Sequence, residues 1–335
     1  MNTILSSVRI LKQALAEQRS CIASVYGHAR TLVETLPGTE PEFQTCLEEI
    51  PDSFYSTRKN IFSTLFQSTY QLLDIAPARR HLYGQMIHLF RIWVTSADNL
   101  LDDEDKIVLP VQMPGSSHVM RQVVALMAAD RVMNCILDEA VRGGVIRQGH
   151  LLNISRRSLQ VLLPSAAQEA SEEAGVIERP DPEYVLRTIH KLKTGILFNI
   201  PFMGPEIVED KIDLGKMAQL KTALLDFGLG CQLLDDIRDM ARDYVEKRHN
   251  YCLSALFTEH LEAYRALSLS AASVEDRLYQ KHAAVVLPAA RRGIGLLQSA
   301  LSVLMEMGLG ISAAQTEFMS RKMFSVLDLG DLDYA

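Results

Sequence analysis

The chain has 335 residues, of which 48% are hydrophobic and 22% are charged, and its formal net charge is −7 at pH 7. This composition is typical of a globular protein with a large core and excludes an extensively disordered chain. The negative charge argues against a general nucleic-acid binder, because such proteins need a cationic surface to displace the counterions of phosphates.

The cysteine pattern indicates a reducing, cytoplasmic location. The five cysteines are odd in number and widely spaced, and they form no Cys-x-x-Cys pair, so neither a disulfide framework nor a typical zinc site is expected. The N-terminal segment at 1–21 is interrupted by charged residues and reads as an amphipathic helix, not a signal peptide. We expect no membrane span, although an apolar substrate could bring the protein to a membrane surface.

Apolar residues recur at intervals of three and four along most of the chain, for example in IFSTLFQSTYQLL (61–73) and RRGIGLLQSALSVLMEM (291–307). This spacing predicts helices, and the alternation that is typical of strands is scarce. Pro- and Gly-containing breakers separate the helical segments without forming a low-complexity linker. We therefore predict an all-α protein with a single domain over 1–335, consisting of an N-terminal helical region (1–50), a catalytic helical core (51–326) and an acidic tail (327–335).

A first cluster of carboxylates, TSADNLLDDEDK (95–106), follows the apolar run YGQMIHLFRIWV (83–94). If this segment is helical, Asp98 and Asp102 lie four residues apart and share one face. Like charges at this separation repel each other, and a partly buried pair needs a compensating cation.

A second cluster, FGLGCQLLDDIRDMARD (227–243), repeats the pattern, with Asp235, Asp239 and Asp243 at intervals of four and Asp236 adjacent. Oxygen ligands without His or Cys favour Mg²⁺ or Mn²⁺, and Mg²⁺ usually adds water and substrate phosphates to its protein carboxylates. Two such stripes predict a site for a metal-bridged diphosphate. The alternative interpretation is that both are solvated helix ends, which is the usual meaning of a single DxxxD pattern.

Three ordered motifs resemble those of the trans-isoprenyl diphosphate synthases, or polyprenyl synthetases, over roughly residues 55–260. The first resembles the DDxxD motif but reads Asp-Asn-Leu-Leu-Asp at 98–102, where Asn99 keeps an oxygen ligand and lacks the charge. The segment EYVLRTIHKLKTGILF (183–198) is similar to the family's helix that ends in KTxxLF. The second acidic cluster resembles GxxxQxxDDxxD and matches it at Gly228, Gln232, Asp235, Asp236 and Asp239.

The resemblance implies the class I isoprenoid synthase fold, a helical bundle around a deep apolar cavity with the Asp motifs at its mouth. It also implies homodimerisation and the ionisation of an allylic prenyl diphosphate of C10 to C20. Three Mg²⁺ ions, or Mn²⁺ in their place, would be held by the Asp motifs, two at the first and one at the second. The implied metal-binding residues are Asp98, Asp102, Asp235, Asp236 and Asp239, and the implied diphosphate contacts are Lys193, Thr194 and Gln232.

The chain departs from the family where chain-elongating members bind isopentenyl diphosphate, because the GGKxxRP and RRG segments are absent. Arg58 and Lys59 are candidate substitutes, and their alternative interpretation is ordinary surface. After the first motif only Lys106 offers a cation. Arg91 lies two turns before Asp98 on nearly the same face and is either a catalytic substrate contact or the structural partner of a carboxylate.

Two further features have both a functional and a structural interpretation. After the second motif, YVEKRHNY supplies Lys247, Arg248 and Tyr251, which either close over the phosphates or belong to an exposed loop. Trp93 either blocks the floor of the cavity and limits the prenyl chain, or packs in the core.

Three functions remain open from the sequence. The two enzymatic functions assign catalytic roles to Lys193, Gln232 and Arg91. The first is a terpene-synthase-like enzyme that captures or cyclises the carbocation, which the missing isopentenyl diphosphate motif favours. The second is a trans-prenyltransferase that joins the allylic cation to isopentenyl diphosphate or another acceptor. The third is a non-catalytic regulatory subunit of a prenyl diphosphate synthase.

Overall fold

The computed structural model describes residues 2–115, 117–269, 273–274, 276–326 and 329. The acidic tail predicted at 327–335 lies outside the described residues apart from Leu329. Within them, no helix is both long and apolar enough to cross a membrane.

Helices form nearly all of the regular structure in the described residues, which confirms the all-α prediction. The α-helices are α1 (Asn2–Val33), α2 (Ile61–Leu72), α3 (Pro77–Leu101), α4 (His118–Arg142), α5 (Gln148–Gln160), α6 (Leu163–Glu172), α7 (Pro182–Tyr184), α8 (Lys191–Lys193), α9 (Met203–Val208), α10 (Leu214–Arg238), α11 (Met240–Val245), α12 (Tyr251–Glu259), α13 (Leu261–Leu269), α14 (Leu278–Lys281), α15 (Ala283–Leu304) and α16 (Ala313–Val326).

Irregular helical turns and one small sheet complete the described structure. The 3₁₀ segments are Pro41–Phe43, Asp52–Tyr55 and Gly195–Phe202, and the π-helical turns are Val185–His190 and Met305–Leu309. Strands β1 (Cys46–Leu47) and β2 (Val111–Gln112) pair antiparallel, with Cys46 opposite Gln112.

The chain divides into two compact units. The N-terminal unit comprises residues 5–157 and 203–212, and the C-terminal unit comprises residues 1–4, 158–202 and 213–335. The single domain predicted over 1–335 stays a prediction.

Helix α3 is the central helix of the N-terminal unit. It begins at Pro77, whose fixed φ suits the first helical position, and every residue from Leu82 to Phe90 is buried. A helix that is buried on all sides must be covered by its neighbours. The absence of a side chain at Gly84 permits this, because a Cβ there would lie 2.6 Å from Cys21 Sγ of α1 and 2.6 Å from Gln67 Oε1 of α2. The close packing of α1 and α2 against α3 fixes the direction of this helix.

Helices α10 and α15 form the core of the C-terminal unit, and they cross closely at two glycines. A Cβ on Gly230 would lie 2.8 Å from the carbonyl oxygen of Gly293, and a Cβ on Gly293 would lie 3.2 Å from that of Gly230. Leu233 and Leu234 on α10 and Leu297 on α15 are fully buried around this crossing. The close approach fixes α10, which carries the second acidic cluster at its C-terminal end.

We expect Gly230→Ala to lower the free energy of unfolding by about 1–3 kcal/mol, because the added methyl group meets backbone that cannot move freely. Chemical denaturation of the two proteins measures the difference. The control is Gly295→Ala in the exposed part of α15, where nothing lies within 4 Å of the added Cβ. That change should stabilise the protein by up to about 1 kcal/mol through helix propensity. Equal effects at the two glycines would contradict the close crossing.

Candidate active site

The first pair of carboxylates lies at the C-terminal end of α3, in the N-terminal unit. The helix ends at Leu101, and the backbone N–H of Asp102 still donates to the carbonyl oxygen of Asp98 at 2.8 Å. Asp98 and Asp102 are both partly exposed and lie one turn apart. Asp103 then adopts a left-handed conformation with φ of 51°, which turns the chain away from the helix axis.

A cavity of about 300 Å³ lies against the same helix, one turn before Asp98. We call it the cationic pocket, because it is lined by three basic side chains and by none that is acidic among the residues the structure assigns to it. Its lining residues are Ile22, Tyr26, Phe54, Lys59, His88, Arg91, Thr95, Lys106, Ile107 and Val108. Such a lining favours an anionic ligand with a small apolar part.

Arg91 supplies the most buried charge of the cationic pocket. Its guanidinium donates to Oδ1 of Asn60 at 3.0 Å. The Asn60 amide is itself fixed, because its nitrogen donates to the carbonyl oxygens of Phe54 at 2.6 Å and Ser56 at 2.9 Å. Burial lowers the pKa of Arg91, yet a guanidinium stays protonated at neutral pH. Since the described hydrogen-bond partner is a neutral amide, the charge of Arg91 is not cancelled by this contact.

His88 faces the cationic pocket as a neutral imidazole, although no sequence motif marks it. It is buried, and neither ring nitrogen has a hydrogen-bond partner in the described part of the chain. Burial, together with the charge of Arg91, lowers the pKa of His88 to about 3. Tyr26 packs edge-on against the ring with centroids 5.4 Å apart. The only sequence signal was position, because His88 lies one turn before Arg91 on the same helix face.

The predicted residues around this pocket take different positions. Lys59 lines it, with Nζ 4.6 Å from the centroid of the Phe54 ring, whereas Arg58 is not among the lining residues; both side chains are exposed. Lys106 also lines the pocket, and its ammonium group pairs with Glu104. Trp93 donates from Nε1 to the carbonyl oxygen of Leu126 at 3.3 Å, which ties α3 to α4. This contact gives Trp93 a packing role, and its predicted effect on prenyl length stays a prediction.

The second acidic cluster, in the C-terminal unit, is built around the buried carboxylate of Asp236, which is 1% exposed. His190 Nε2 donates to Oδ2 of Asp236 at 2.6 Å, and the backbone N–H of Tyr251 donates to the same oxygen at 2.5 Å. Gln232 Nε2 donates to Oδ1 at 3.0 Å. Hydrogen bonds to Asp236 of α10 therefore connect this helix to the π-helical turn Val185–His190 and to the start of α12.

The hydrogen-bond chain continues from Gln232 to Thr194, whose hydroxyl donates to Oε1 of Gln232. The segment that resembles the family's KTxxLF helix is not one regular helix. It consists of the π-helical turn Val185–His190, α8 and the 3₁₀ segment Gly195–Phe202. Irregular turns of this kind are frequent at functional sites. The motif glycine Gly228 has a packing reason, because a Cβ there would lie 2.6 Å from the Phe198 ring of the 3₁₀ segment.

Lys193 is held by acidic residues. Its Nζ lies 3.1 Å from Oε1 of Glu169 on α6. Burial alone would lower the pKa of Lys193, but the charges of Glu169, Glu172 and Asp243 raise it above the usual value. Lys193 is therefore a permanently charged group and not a proton donor or acceptor near neutral pH.

Arg238 bridges the two outer carboxylates of the second cluster. One guanidinium nitrogen lies 2.6 Å from Asp235 Oδ1 and 2.6 Å from Asp239 Oδ2, while Nε donates to Asp239 Oδ1 at 2.7 Å. All three side chains are partly exposed. Asp235 and Asp239 thus bind one cation between them in the folded chain, which shows that their spacing suits a shared positive charge.

The loop after the second cluster is fixed by its backbone. Arg179 donates to the carbonyl oxygen of Arg248, and Val176 N–H donates to that of Lys247 at 2.6 Å. Lys247 itself has a left-handed φ of 56°. The hydroxyl of Tyr251 accepts a hydrogen bond from Arg292 at 3.0 Å. The side chain of Lys247 is exposed, so this loop combines a fixed backbone with an exposed cation.

The donor set fits Mg²⁺ or Mn²⁺ better than a metal that prefers nitrogen or sulfur. Among the described residues, no group of three or more His, Cys, Asp or Glu side chains could hold a metal ion. The candidate ligands instead occur as carboxylate pairs, Asp98 with Asp102 and Asp235 with Asp239. A pair of this kind leaves most of the coordination sphere to water and substrate oxygens, which is the usual situation for Mg²⁺ at phosphates.

His88 predicts a pH dependence of stability. The unfolded chain protonates this histidine below its ordinary pKa of 6.5, while the folded chain keeps it neutral down to about 3. The free energy of unfolding should therefore fall as the pH drops below 6.5, by up to about 1.4 kcal/mol per pH unit from this proton. Denaturant titrations from pH 7 to pH 4 measure the slope. It should become shallower in His88→Gln and stay unchanged in His260→Gln, a control at an exposed position.

Comparison with known proteins identifies the fold. No protein-family model matches the sequence, and no curated protein matches it. Solved structures do match: a decaprenyl diphosphate synthase from Rhodobacter capsulatus (TM-score 0.60, 14% identity, 96% of this chain and 98% of that chain covered) and a heptaprenyl diphosphate synthase from Staphylococcus aureus (0.61, 11%, 92% and 98%). A geranylgeranyl pyrophosphate synthetase from Pyrococcus horikoshii also matches (0.58, 13%, 94% and 98%). The chain therefore has the all-α isoprenoid synthase fold of these enzymes, which confirms the resemblance of its motifs at the level of the fold.

Proposed function

We propose that this chain is a trans-prenyltransferase, which joins an allylic prenyl diphosphate to a small anionic acceptor, with isopentenyl diphosphate as the first candidate. The observation that carries the proposal is the cationic pocket beside the first carboxylate pair. The solved structures with the same fold are named as prenyl diphosphate synthases, which supports the same choice.

The pocket supports the prenyltransferase interpretation of the sequence over the terpene-synthase-like one. The absence of the family's cationic segments for a second diphosphate favours a terpene-synthase-like reaction. Lys59 and Arg91 offer two cations from other positions, and Lys106 offers a third whose ammonium group pairs with Glu104. Charge-assisted hydrogen bonds from such groups bind a phosphate. A terpene synthase that uses one allylic diphosphate has no need of a second anion site.

The size of the pocket favours a short acceptor. Its volume of about 300 Å³ lies at the lower limit for small-molecule sites. The apolar lining from Ile22, Phe54 and Val108 suits a few carbon atoms beside the anionic group. We therefore assign the pocket to the acceptor and not to the allylic substrate.

On the allylic side, we propose that Asp98 with Asp102 and Asp235 with Asp239 hold Mg²⁺, which Mn²⁺ could replace. When bound, the metal neutralises the diphosphate leaving group and stabilises the charge on its departing oxygen. Binding between Asp235 and Asp239 requires the Arg238 guanidinium to move aside. Asp236, whose oxygens already accept three hydrogen bonds, acts by positioning and not as a ligand.

The remaining residues of this cluster orient and bind the diphosphate. Lys193 provides a fixed positive charge. Gln232 cannot rotate its amide, because its oxygen accepts from Thr194 and its nitrogen donates to Asp236, and one N–H of that nitrogen remains to donate to a phosphate oxygen. Lys247 and Arg248, on the loop with the fixed backbone, are proposed to contact the same group.

The direct test incubates the purified protein with Mg²⁺ and geranyl, farnesyl or geranylgeranyl diphosphate, each with and without isopentenyl diphosphate. We expect diphosphate release only with both substrates, and prenyl diphosphates one or more C5 units longer among the extracted products. Release from an allylic substrate alone, with a hydrocarbon or alcohol as product, would establish the terpene-synthase reading instead. A protein that turns over nothing and yet alters the products of a partner synthase would be a regulatory subunit.

A second prediction concerns Arg91. Its loss removes a charged hydrogen-bond donor worth about 1.5–3 kcal/mol, so Arg91→Met should raise KM for the acceptor by about 10-fold to 150-fold. KM for the allylic diphosphate should change much less. Steady-state kinetics with each substrate varied in turn measures both values. Arg58→Met is the matched control, because Arg58 carries the same charge at an exposed position that does not line the pocket. An equal loss for both substrates would argue against an acceptor site.

A further inference from the structure

Asn99 stands at the second place of the first acidic motif, where the family pattern has Asp. From the sequence alone, we expect Asn99 to be a metal ligand that keeps an oxygen atom and lacks the charge. In the structure its side chain is fully buried, at 0% exposure, whereas Asp98 and Asp102 are partly exposed. Successive helical residues point about 100° apart, so Asn99 leaves α3 on a different side from the two carboxylates. It is not available to a metal that Asp98 and Asp102 share.

Both polar atoms of the Asn99 side chain bind the backbone of one residue. Nδ2 donates to the carbonyl oxygen of Lys106 at 2.9 Å, and Oδ1 accepts from the N–H of Lys106 at 3.1 Å. The orientation of the amide follows from its partners, because a backbone N–H only donates and a carbonyl only accepts. A third bond, from Glu104 N–H to the carbonyl oxygen of Asn99 at 3.0 Å, closes the same turn.

The segment that Asn99 holds forms one wall of the cationic pocket. Lys106, Ile107 and Val108 all line that pocket. The segment is anchored on both sides of Lys106, since Arg121 donates to both oxygens of Asp105 at 2.9 Å and the hydroxyl of Tyr26 donates to the carbonyl oxygen of Val108. Asn99 is the anchor that acts on Lys106 itself.

We propose that Asn99 is a positioning residue, which holds the 104–108 segment as the wall of an anion-binding pocket and does not bind metal. This inference rests on the proposed function insofar as it assigns an anion to the pocket. An aspartate at 99 would accept from the Lys106 N–H, but its second oxygen would face the Lys106 carbonyl oxygen without a proton between them. The amide is thus required by the loop, and its presence does not represent a weakened metal site.

The test compares wild type with Asn99→Asp, which restores the residue of the family motif. If Asn99 is a weakened ligand, this change should strengthen metal binding. If it is a positioning residue, the change should leave the affinity for Mn²⁺ within about twofold, and it should speed amide hydrogen exchange of residues 104–108 at least tenfold. It should also weaken binding of inorganic pyrophosphate, measured calorimetrically in a metal chelator, by about tenfold. Leu100→Asp is the matched control, because it adds the same charge at an exposed neighbouring position.

Lys106→Ala separates the two parts of the inference, because it removes the ammonium group and keeps the backbone atoms that Asn99 binds. It should weaken pyrophosphate binding while exchange of 104–108 stays slow. If Asn99→Asp does not fold, Lys106→Ala still tests the anion site. Asn99→Ser, a milder change at position 99, is then expected to give the same faster exchange of 104–108.

The outcomes distinguish this inference from the proposed function. Tighter Mn²⁺ binding in Asn99→Asp, or unchanged exchange of 104–108 in the position-99 variants, would overturn the positioning role. Faster exchange in those variants together with no pyrophosphate binding to wild type would support the positioning role and overturn the anion pocket, and with it the observation that carries the proposed function.

Discussion

The geometry of the C-terminal unit depends on how one buried carboxylate is satisfied. An ionised carboxylate without partners is too costly to bury, so Asp236 is stable in the core only when donors reach it. These donors come from the π-helical turn, from α10 and from the first residue of α12. Because Asp236 adjoins Asp235 in the chain, the same bonds that stabilise the fold also place the outer carboxylates, Lys193 and the loop before Tyr251 in one cluster.

In the N-terminal unit, neutral amide side chains hold a buried cation and a wall segment of the pocket in place. Arg91 is buried against the neutral side chain of Asn60, and the wall residue Lys106 is held by the neutral side chain of Asn99. A carboxylate in place of Asn60 would cancel the charge of Arg91, and a carboxylate in place of Asn99 would repel the carbonyl oxygen of Lys106. Amide partners therefore fix the geometry at Arg91 and at the backbone of Lys106 without cancelling the charge of Arg91.

Chains with very different sequences share this fold. At 11–14% identity, the chain retains TM-scores of 0.58–0.61 to prenyl diphosphate synthases, because a helical bundle requires apolar residues at helical spacing and not particular side chains. Ligand contacts depend on particular groups at particular positions. Lys59, Arg91 and Lys106 belong to none of the family's recognisable motifs for a second diphosphate, so the acceptor site that we propose would be built from new positions.

The sequence by itself determined the helical class and the spacing of the carboxylate pairs, because apolar periodicity and i,i+4 positions are local properties of the chain. The fold family was implied by the resemblance of three motifs and not by periodicity. The sequence placed Asp98 with Asp102, and Asp235 with Asp239, correctly on shared turns. Only the tertiary structure decided that Asp236 and Asn99 point into the protein, that Arg91 meets an amide, that Lys59 and not Arg58 lines the cavity, and that His88 belongs to it. These outcomes depend on contacts between residues distant in sequence, such as Asp236 with His190 and Arg91 with Asn60. Local spacing carries no information about such contacts.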